Sequence, residues 1–591
     1  MTQAQALRAS LRVSPSAWLA ALVVGVAAVL VACGGGGTVP ATQPGGLRPL
    51  SAEFGNRKAV NYSPYRSANR DTEVVTRENV LQDLGLLAQG GFTLIRTFDS
   101  SDEFARLMLQ IIKDNQINMK VQLGIYIAPT NGTGAVLASA LQFNNAEVAR
   151  GIKLASDFKD IVIAVSVGNE SVAFGTSTPE VIAGYLATVR AGVTQPLTTN
   201  DVWDAYAGLP GSGGAGMPAF VTNLIDFAAV HTYPILYASP GYYDPWDWEQ
   251  QAVPEAGRAA AMMDAAVERV KVNYAAVRKY LDSQGHSDLP IVIGEAGWKA
   301  VPTGDLTYLA HPVNQKMFYD RLVAWGNTSK SSGGPVAIFY FEAFDEPWKA
   351  TANPAFNDDN WGLFNVSRQA RYVVQDLYAV SQRAPGSYTL ADAVYAPTVV
   401  SPVISANRYT VYADAVTAGE AIAPVAQWFG FDSPPNAFAG EGSDSTLAAE
   451  GLHFMEIGPA PSTAVGKDYG WGALTVSNPA RVDLSQFQTS GRLNLSVKTT
   501  YPGKLMFGFG TPVAGAVFVV ASNTNADGYG YVNDGTWHQV SIPISAFTAA
   551  GGKFDLTKVT NTLVVADIYD KTGNPKGSTI KVFVDAVYWS K

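Results

Sequence analysis

The chain has 591 residues, 47% of them hydrophobic and only 15% charged, well below the roughly 25% charge of an average globular protein; a large core is available, and disorder or coiled coil is excluded as the main state. Lys and Arg number 41 against 50 Asp and Glu, a net charge of -9 with no basic block, which excludes a nucleic-acid surface because phosphate binding needs clustered cations. The surplus lies in 56 Gly, 12 Trp, 26 Tyr and 26 Phe, the composition of a turn-rich protein with many flat apolar faces of the kind sugar binders use.

Arg8 and Arg12 precede an apolar run over 18–32. The run is shorter than the roughly 20 residues of a spanning helix and reads as an export signal. It ends in Leu30-Val31-Ala32-Cys33, and Cys33 is the only cysteine, so no disulfide forms within the chain. This ending resembles the bacterial lipoprotein signal, which implies cleavage after residue 32 and lipid attachment at Cys33. Gly34, where an acidic residue would mark inner-membrane retention, implies an outer-membrane lipoprotein of a Gram-negative bacterium. The alternative is a plain secretory signal with an incidental cysteine. Residues 33–52 are rich in Gly, Pro and Thr and read as a flexible tether.

Over 53–383, short apolar runs alternate with helix-period segments, the pattern of βα units on a parallel sheet. Eight strands are expected, at 59–65, 93–99, 120–126, 161–170, 197–203, 227–234, 290–298 and 336–348. Between the second and third, Ser100 and Glu103 have capping-box spacing, and Phe104, Leu107, Met108, Ile111 and Ile112 make one apolar face. Similar segments occupy 80–87, 147–158, 259–281 and 314–325. The expected fold is a (β/α)8 TIM barrel. Residues 384–404 form a Pro-, Ala- and Ser-rich linker. The rest, 405–591, shows alternating runs at 493–498, 504–508, 517–521, 537–542, 562–566 and 580–589 with Gly/Asn/Asp turns, which predicts an antiparallel, jelly-roll-like β-sandwich.

In such a barrel the reactive groups stand at the C-terminal strand ends. The fourth strand ends in Val167-Gly168-Asn169-Glu170 and the seventh in Gly294-Glu295-Ala296-Gly297-Trp298. Strands four and seven lie nearly opposite, so both carboxylates can enter one cleft. Double-displacement glycoside hydrolysis needs such a pair about 5–5.5 Å apart, one attacking the anomeric carbon and one moving a proton. Rim carboxylates held in ion pairs are the competing reading.

These motifs, with Tyr233-Pro234 closing strand six, Phe341-Glu342-Ala343-Phe344-Asp345-Glu346-Pro347-Trp348, Arg96 in Ile95-Arg96-Thr97-Phe98-Asp99, and Trp361-Gly362-Leu363-Phe364, resemble glycoside hydrolase family 17, the β-1,3-glucanases and β-1,3-glucanosyltransferases. The resemblance covers about 59–380. It implies that Glu170 is the general acid/base, Glu295 the nucleophile, Asn169 a partner of the sugar 2-hydroxyl and Tyr233 the group that orients Glu295. Plant members commonly read Gly-Glu-Thr-Gly-Trp-Pro-Ser where this chain has Ala296 and Lys299, which bears on subsite preference. Arg96, Tyr62 and Trp298 are candidate substrate contacts, with Trp298 the candidate for stacking at the cleavage point.

Glu342 and Glu346 are either substrate-contacting or pKa-tuning groups of the cleft or a structural pair with Lys349 or Arg96. His231, two residues before Tyr233 and so on the same strand face, reads as a hydrogen-bonding wall residue. The loop after strand six carries five aromatics, Trp246 and Trp248 among them; they are stacking platforms or the packing of a lid. No cluster has transition-metal spacing and no Gly-rich loop opens a helix, so no cofactor is expected. A structural calcium in the sandwich is compatible with the fold, with no ligands singled out.

Segments 531–547 and 580–589 resemble jelly-roll carbohydrate-binding modules; glucan binding and simple packing are both open for this domain. The reading is an exported retaining glycosidase acting on β-1,3-glucan such as laminarin, a monomer that meets the membrane only through its lipid. A transglycosylase is the close alternative, and a non-catalytic surface glucan-binding protein or a mixed-linkage glucanase stands further off.

Overall fold

The computed structural model describes residues 46–208, 216–238, 246–302, 304–352, 359–416, 418–423, 427–432, 437–459, 471–476, 481–512, 515–551, 554–567 and 580–591. The export-signal segment, Cys33 and the loop tyrosines 242 and 243 lie outside them. By contact the chain divides into two units: one holds 270–394 and most of the chain before residue 234, the other 234–269 and 395–591.

In the first unit eight parallel strands close into a barrel: β1 Lys58–Asn61, β2 Phe92–Arg96, β3 Lys120–Ile125, β4 Val162–Asn169, β5 Leu197–Val202, β6 Ala228–His231, β7 Ile291–Ala296 and β8 Ile338–Tyr340. β1 pairs with both β2 and β8, which is the closure. The strands read as near-continuous apolar runs because both faces are covered. The crossovers carry α1 Arg77–Gln89, α2 Leu107–Asp114, α3 Gly134–Asp157, α4 Pro179–Gly192, α5 Glu255–Ser283 and α6 Pro312–Ser329. A short helical turn, Ala52–Asn56, capped by the Ser51 hydroxyl, precedes β1. Its Phe54 ring lies 5.8 Å from Phe227 and 5.9 Å from Phe339 and plugs the N-terminal mouth with Leu94 and Val292.

Three local expectations change. The Ser100/Glu103 capping box does not form: the Ser100 hydroxyl donates to the Glu147 carbonyl at 2.9 Å and its N–H to the Glu147 carboxylate at 2.6 Å. Asp99 instead accepts from the Ser101 N–H and hydroxyl, and the helix opens as a wide π-type turn over Asp102–Arg106. Helix α4 was not among the expected segments, although Thr178, which caps Val181 N, followed by Pro179 is a helix-start signal. The eighth strand is three residues long, not thirteen: past Tyr340 regular pairing gives way to single bonds to the ends of β7 and β1, Phe341 N to Ala296 O and Ala343 N to Asn61 O, both 2.9 Å.

The second unit is a β-sandwich. One sheet is ordered β10-β9-β20-β13-β12 with β15 and β18 attached through β20, and the other β11-β14-β19-β16-β17. These strands are β9 Arg408–Tyr412, β10 Ala421–Ile422, β11 Gln427–Asp432, β12 Ala437–Ser443, β13 His453–Pro459, β14 Trp471–Val476, β15 Arg492–Thr499, β16 Leu505–Thr511, β17 Gly515–Ala521, β18 His538–Pro543, β19 Asn561–Asp567 and β20 Val582–Ser590. All pairings are antiparallel except β9 with β10. On β20 the buried positions switch from Val582 and Val584 to Val587 and Trp589 across Ala586, whose φ is +46°. One extra residue at such a bulge swaps the faces of the pleat, and it delivers Trp589 to Phe509 and Phe487 in the core.

Candidate active site

The end of β4 is bent by two left-handed residues, Gly168 at φ +80° and Glu170 at φ +52°. Glu170 N donates to Asn200 O at 2.8 Å. Asp201, fully buried on β5, accepts from the backbone of Val172 (3.0 Å), Ala173 (3.2 Å) and Val202 (2.9 Å). These bonds hold the turn that aims Glu170 into the barrel mouth, an arrangement a β-branched or bulky residue would adopt only with strain. Burial pushes the Asp201 carboxyl up to about 7, against the backbone N–H groups it accepts from, with the Glu170 charge adding to the rise.

Glu295 stands at the end of β7 and is 4% exposed. Arg96 Nη1 donates to its Oε1 at 2.6 Å, and the Tyr233 hydroxyl donates to its Oε2 at 2.5 Å. The same guanidinium donates to Asn61 Oδ1 at 3.1 Å and to Asn169 Oδ1, so the Asn169 amide oxygen is engaged and its N–H2 faces elsewhere. His231 Nδ1 lies 2.8 Å from Glu170 Oε1 and 3.6 Å from Glu295 Oε2. Burial alone would raise the Glu295 carboxyl; His231 and Arg96, with the hydrogen bonds from Tyr233 and Arg96, outweigh it and hold the group below its ordinary value. Burial and the neighbouring Glu295 push the Tyr233 phenol well up, so it stays a donor.

Glu170, His231 and Glu295 each offer an atom within 4.8 Å of the others. Arg96 already supplies the positive charge facing Glu295, and Tyr233 takes its second oxygen. The donor set therefore suits the movement of protons between two carboxylates better than the holding of a cation.

Beside the pair, Lys349 Nζ sits 2.9 Å from Glu342 Oε2 and 2.6 Å from Glu346 Oε2. Burial, together with the Glu346 charge, lifts the Glu342 carboxyl well above its ordinary range; Glu346 is held down at about 2, its own burial outweighed by Lys349 and by hydrogen bonds from Glu342 and Lys349. The trio therefore favours its proton on Glu342 and its negative charge on Glu346. Glu342→Gln keeps the carboxylate that faces Lys349 and is expected to melt within a few degrees of wild type, whereas Glu346→Gln removes it and is expected to cost about 3 kcal/mol. Thermal melts of the two variants check this; equal melting temperatures would refute the assignment of charge.

The structure brings Asn169, Glu170, Tyr233, Glu295 and Arg96 together, with Glu342 and Glu346 held by Lys349. It places Tyr62 and Trp298 elsewhere. Tyr62 is fully buried, its hydroxyl on Asp83 at 3.1 Å and its ring against Phe104 and Phe344. Trp298 is fully buried, its Nε1–H on Leu309 O at 2.9 Å and its ring 5.2 Å from Phe318, which corrects the expectation that it stacks on sugar. Trp361 is the tryptophan beside Tyr233, at 5.4 Å edge-on. Trp246 and Trp248 belong to the second unit; Trp246 is buried with its Nε1–H on Pro234 O at 2.8 Å. Asp201 went unnoticed in the sequence, although an acid in Asn200-Asp201-Val202-Trp203 at a barrel strand end was a usable signal. At the rim Arg70 lies 4.8 Å from the Trp348 ring and 5.2 Å from that of Tyr65; nothing in the motifs marked it.

A closed (β/α)8 barrel with two carboxylates converging from β4 and β7 is the architecture of a glycoside hydrolase. The chain belongs to the BtgE/BtgC glycoside hydrolase family, whose model matches residues 59–362. Residues 430–591 match the model of carbohydrate binding domain 30. The chain is similar to a glucan 1,3-beta-glucosidase of Arthroderma benhamiae, 26% identical over 47% of this chain and 79% of the relative. It is also similar to glucan endo-1,3-beta-glucosidase 8 of Arabidopsis thaliana, 27% identical over 50% of this chain and 68% of the relative. Among solved structures, an endo-laminarinase from Formosa Hel1_33_131 aligns at 24% identity over 55% of this chain and 87% of that one, with a TM-score of 0.48.

Proposed function

We propose that the protein is a retaining glycosidase acting on β-1,3-glucan, in which Glu295 attacks the anomeric carbon and Glu170 protonates the departing oxygen, then takes a proton from the incoming water. The observation that carries this reading is the spacing of the pair: carboxylate oxygens of Glu170 and Glu295 lie within 4.8 Å of each other. So close an approach favours direct attack, at carboxyl separations of about 5–5.5 Å, over the about 6.5–9.5 Å by which an inverting enzyme makes room for water. The ionised state of Glu295, backed by Arg96, is what a nucleophile needs, and the Asn169 N–H2 is the donor for the sugar 2-hydroxyl. The names of the fungal and plant relatives support β-1,3-glucan as the substrate class.

The test is incubation of the purified soluble chain, residues 34–591, with laminari-oligosaccharides, with products weighed by mass spectrometry and the first-formed anomer read by proton NMR. Shorter products with retained β configuration are expected. An α anomer first would overturn the double displacement, products longer than the substrate would make the enzyme a transglycosylase, and untouched oligosaccharides would leave a glucan-binding protein. The sandwich is proposed to hold β-glucan, in keeping with its match to a carbohydrate binding domain; retardation of the full chain in a laminarin gel checks it. Cys33 is proposed to carry the lipid of an outer-membrane anchor, and Cys33→Ser is expected to abolish palmitate labelling.

A further inference from the structure

Glu295 is served by Arg96 and Tyr233, but Glu170 has one side-chain partner among the described residues. That partner is His231, fully buried at the end of β6, with Nδ1 2.8 Å from Glu170 Oε1. Its other nitrogen, Nε2, is buried without a hydrogen-bond partner, and so are both polar atoms of the Asn200 side chain. The two meet over Gly294. A Cβ on that glycine would stand 2.6 Å from Asn200 Oδ1 and 3.1 Å from His231 Nε2, so any larger residue would push the imidazole and the amide out of the space they share. Asn200 also carries, through its carbonyl, the backbone N–H of Glu170. Three strands thus converge on the orientation of one carboxyl group.

We propose that His231 is the positioning residue of the acid/base. Its Nδ1–H donates to Glu170 Oε1 throughout the cycle, and Nε2 stands beside the Asn200 amide. Holding one oxygen fixes where the other points. In the first step a Glu295 oxygen bonds to the anomeric carbon, the glycosidic C–O bond breaks, and its electron pair takes the proton from Glu170 Oε2. In the second, a water oxygen bonds to the anomeric carbon as the ester to Glu295 breaks, and the water proton returns to Oε2. His231 gains and loses no proton in either step. If the tautomer were reversed, with Nδ1 bare, Glu170 would have to spend its proton on the imidazole and the glycosidic oxygen would face a group with nothing to give. The same N–H passes 3.6 Å from Glu295 Oε2, so one donor faces both catalytic carboxyl groups.

This inference rests on the retaining mechanism proposed above, and its test has one arm that does not. In the first arm, wild type, His231→Leu and His231→Asn are compared on laminaritetraose and on a dinitrophenyl β-laminaribioside, whose leaving group departs without a proton. The Asn side chain can place an N–H near the position of Nδ1–H. For His231→Leu, kcat/KM is expected to fall at least about 30-fold on the tetraose but less than about 3-fold on the aryl glycoside, with His231→Asn within about 5-fold of wild type on both. Equal losses on both substrates would mean a packing role, and no loss would mean no role; either overturns the proposal.

If wild type turns over neither compound, the β-1,3-glucan reading fails while His231 is judged by the second arm. The chain has five histidines, so histidine-selective 15N labelling of the full chain gives few signals, and the set missing in His231→Asn belongs to His231. A protonated Nδ1 whose signal shifts on Glu170→Gln is expected; a bare Nδ1 or indifference to Glu170→Gln overturns the assignment.

Discussion

Glu295→Gln is expected to lower kcat on laminari-oligosaccharides by about 10^4-fold or more, because an amide neither attacks the anomeric carbon nor leaves from it, and residues that act as a unit are not replaced by their neighbours. The loss reaches beyond chemistry. Arg96 is 1% exposed, and the substitution removes the anion at 2.6 Å while leaving the guanidinium buried with Asn61 and Asn169 as its acceptors. Breaking one side of a buried pair typically costs about 3–5 kcal/mol, and the two amide oxygens offset part of that, so a lower melting temperature accompanies the lost activity. Kinetics alone therefore do not separate a dead nucleophile from a loosened site. The separating measurement uses wild-type protein and a 2-fluoro dinitrophenyl β-laminaribioside. Fluorine slows both steps, the aryl group speeds only the first, and the glycosyl-enzyme accumulates. Peptide mass spectrometry is expected to find the added sugar on the peptide holding Glu295. A label elsewhere, or turnover without a label, would overturn the assignment.

How much of this was legible in the sequence differs between the strands and what lies at their ends. The barrel strands announced themselves because burial on both faces demands near-continuous apolar runs such as Ile161 to Val165, and the first seven were placed within a few residues. The eighth was overextended because apolarity continues through Phe341, Ala343 and Phe344 after the pairing has ended; those residues pack in loops around Trp361 and Phe364. The two glutamates were legible because each closes a strand. Trp298 was misjudged for a related reason: a tryptophan just past a catalytic strand end can face either cleft or helix layer, and only the Phe318 ring on α6 decides which. The meeting of Asn200 and His231 over Gly294 was illegible because it depends on inter-strand register, Asn200 opposite Asn169 and Val202 opposite His231. Hydrophobic periodicity identifies strands without aligning them. Lys349 was visible as a partner for Glu342 and Glu346, but the division of charge among the three follows from burial, which no motif encodes.

Arg96→Met is expected to move the acidic limb of kcat/KM upward by about one pH unit or more and to lower the plateau by about 10^2-fold. The sign follows from the forces on Glu295. Its ordinary value is 4.5, burial pushes it up, and Arg96 with His231 and Tyr233 pulls it below. With the guanidinium gone the balance tips toward burial, and a larger fraction of the enzyme holds a protonated, unreactive nucleophile at mildly acidic pH. The same balance predicts stability. In wild type the depressed value contributes stability that is present above about 4.5 and lost as pH falls through the folded-state value. In Arg96→Met the depression is smaller, so the stability this group gains as pH rises past about 4.5 shrinks. The melting deficit of the variant is therefore expected to be larger at pH 7 than at pH 4. Arg96→Lys separates charge from shape, since an ammonium can face Glu295 but cannot span Asn61, Glu295 and Asn169 as the planar fork does. Its acidic limb is expected to stay near that of wild type while kcat/KM falls through the loosened Asn169. If the limb of Arg96→Met does not move, Arg96 is a packing group and the ionisation of Glu295 is held by Tyr233 and His231 alone.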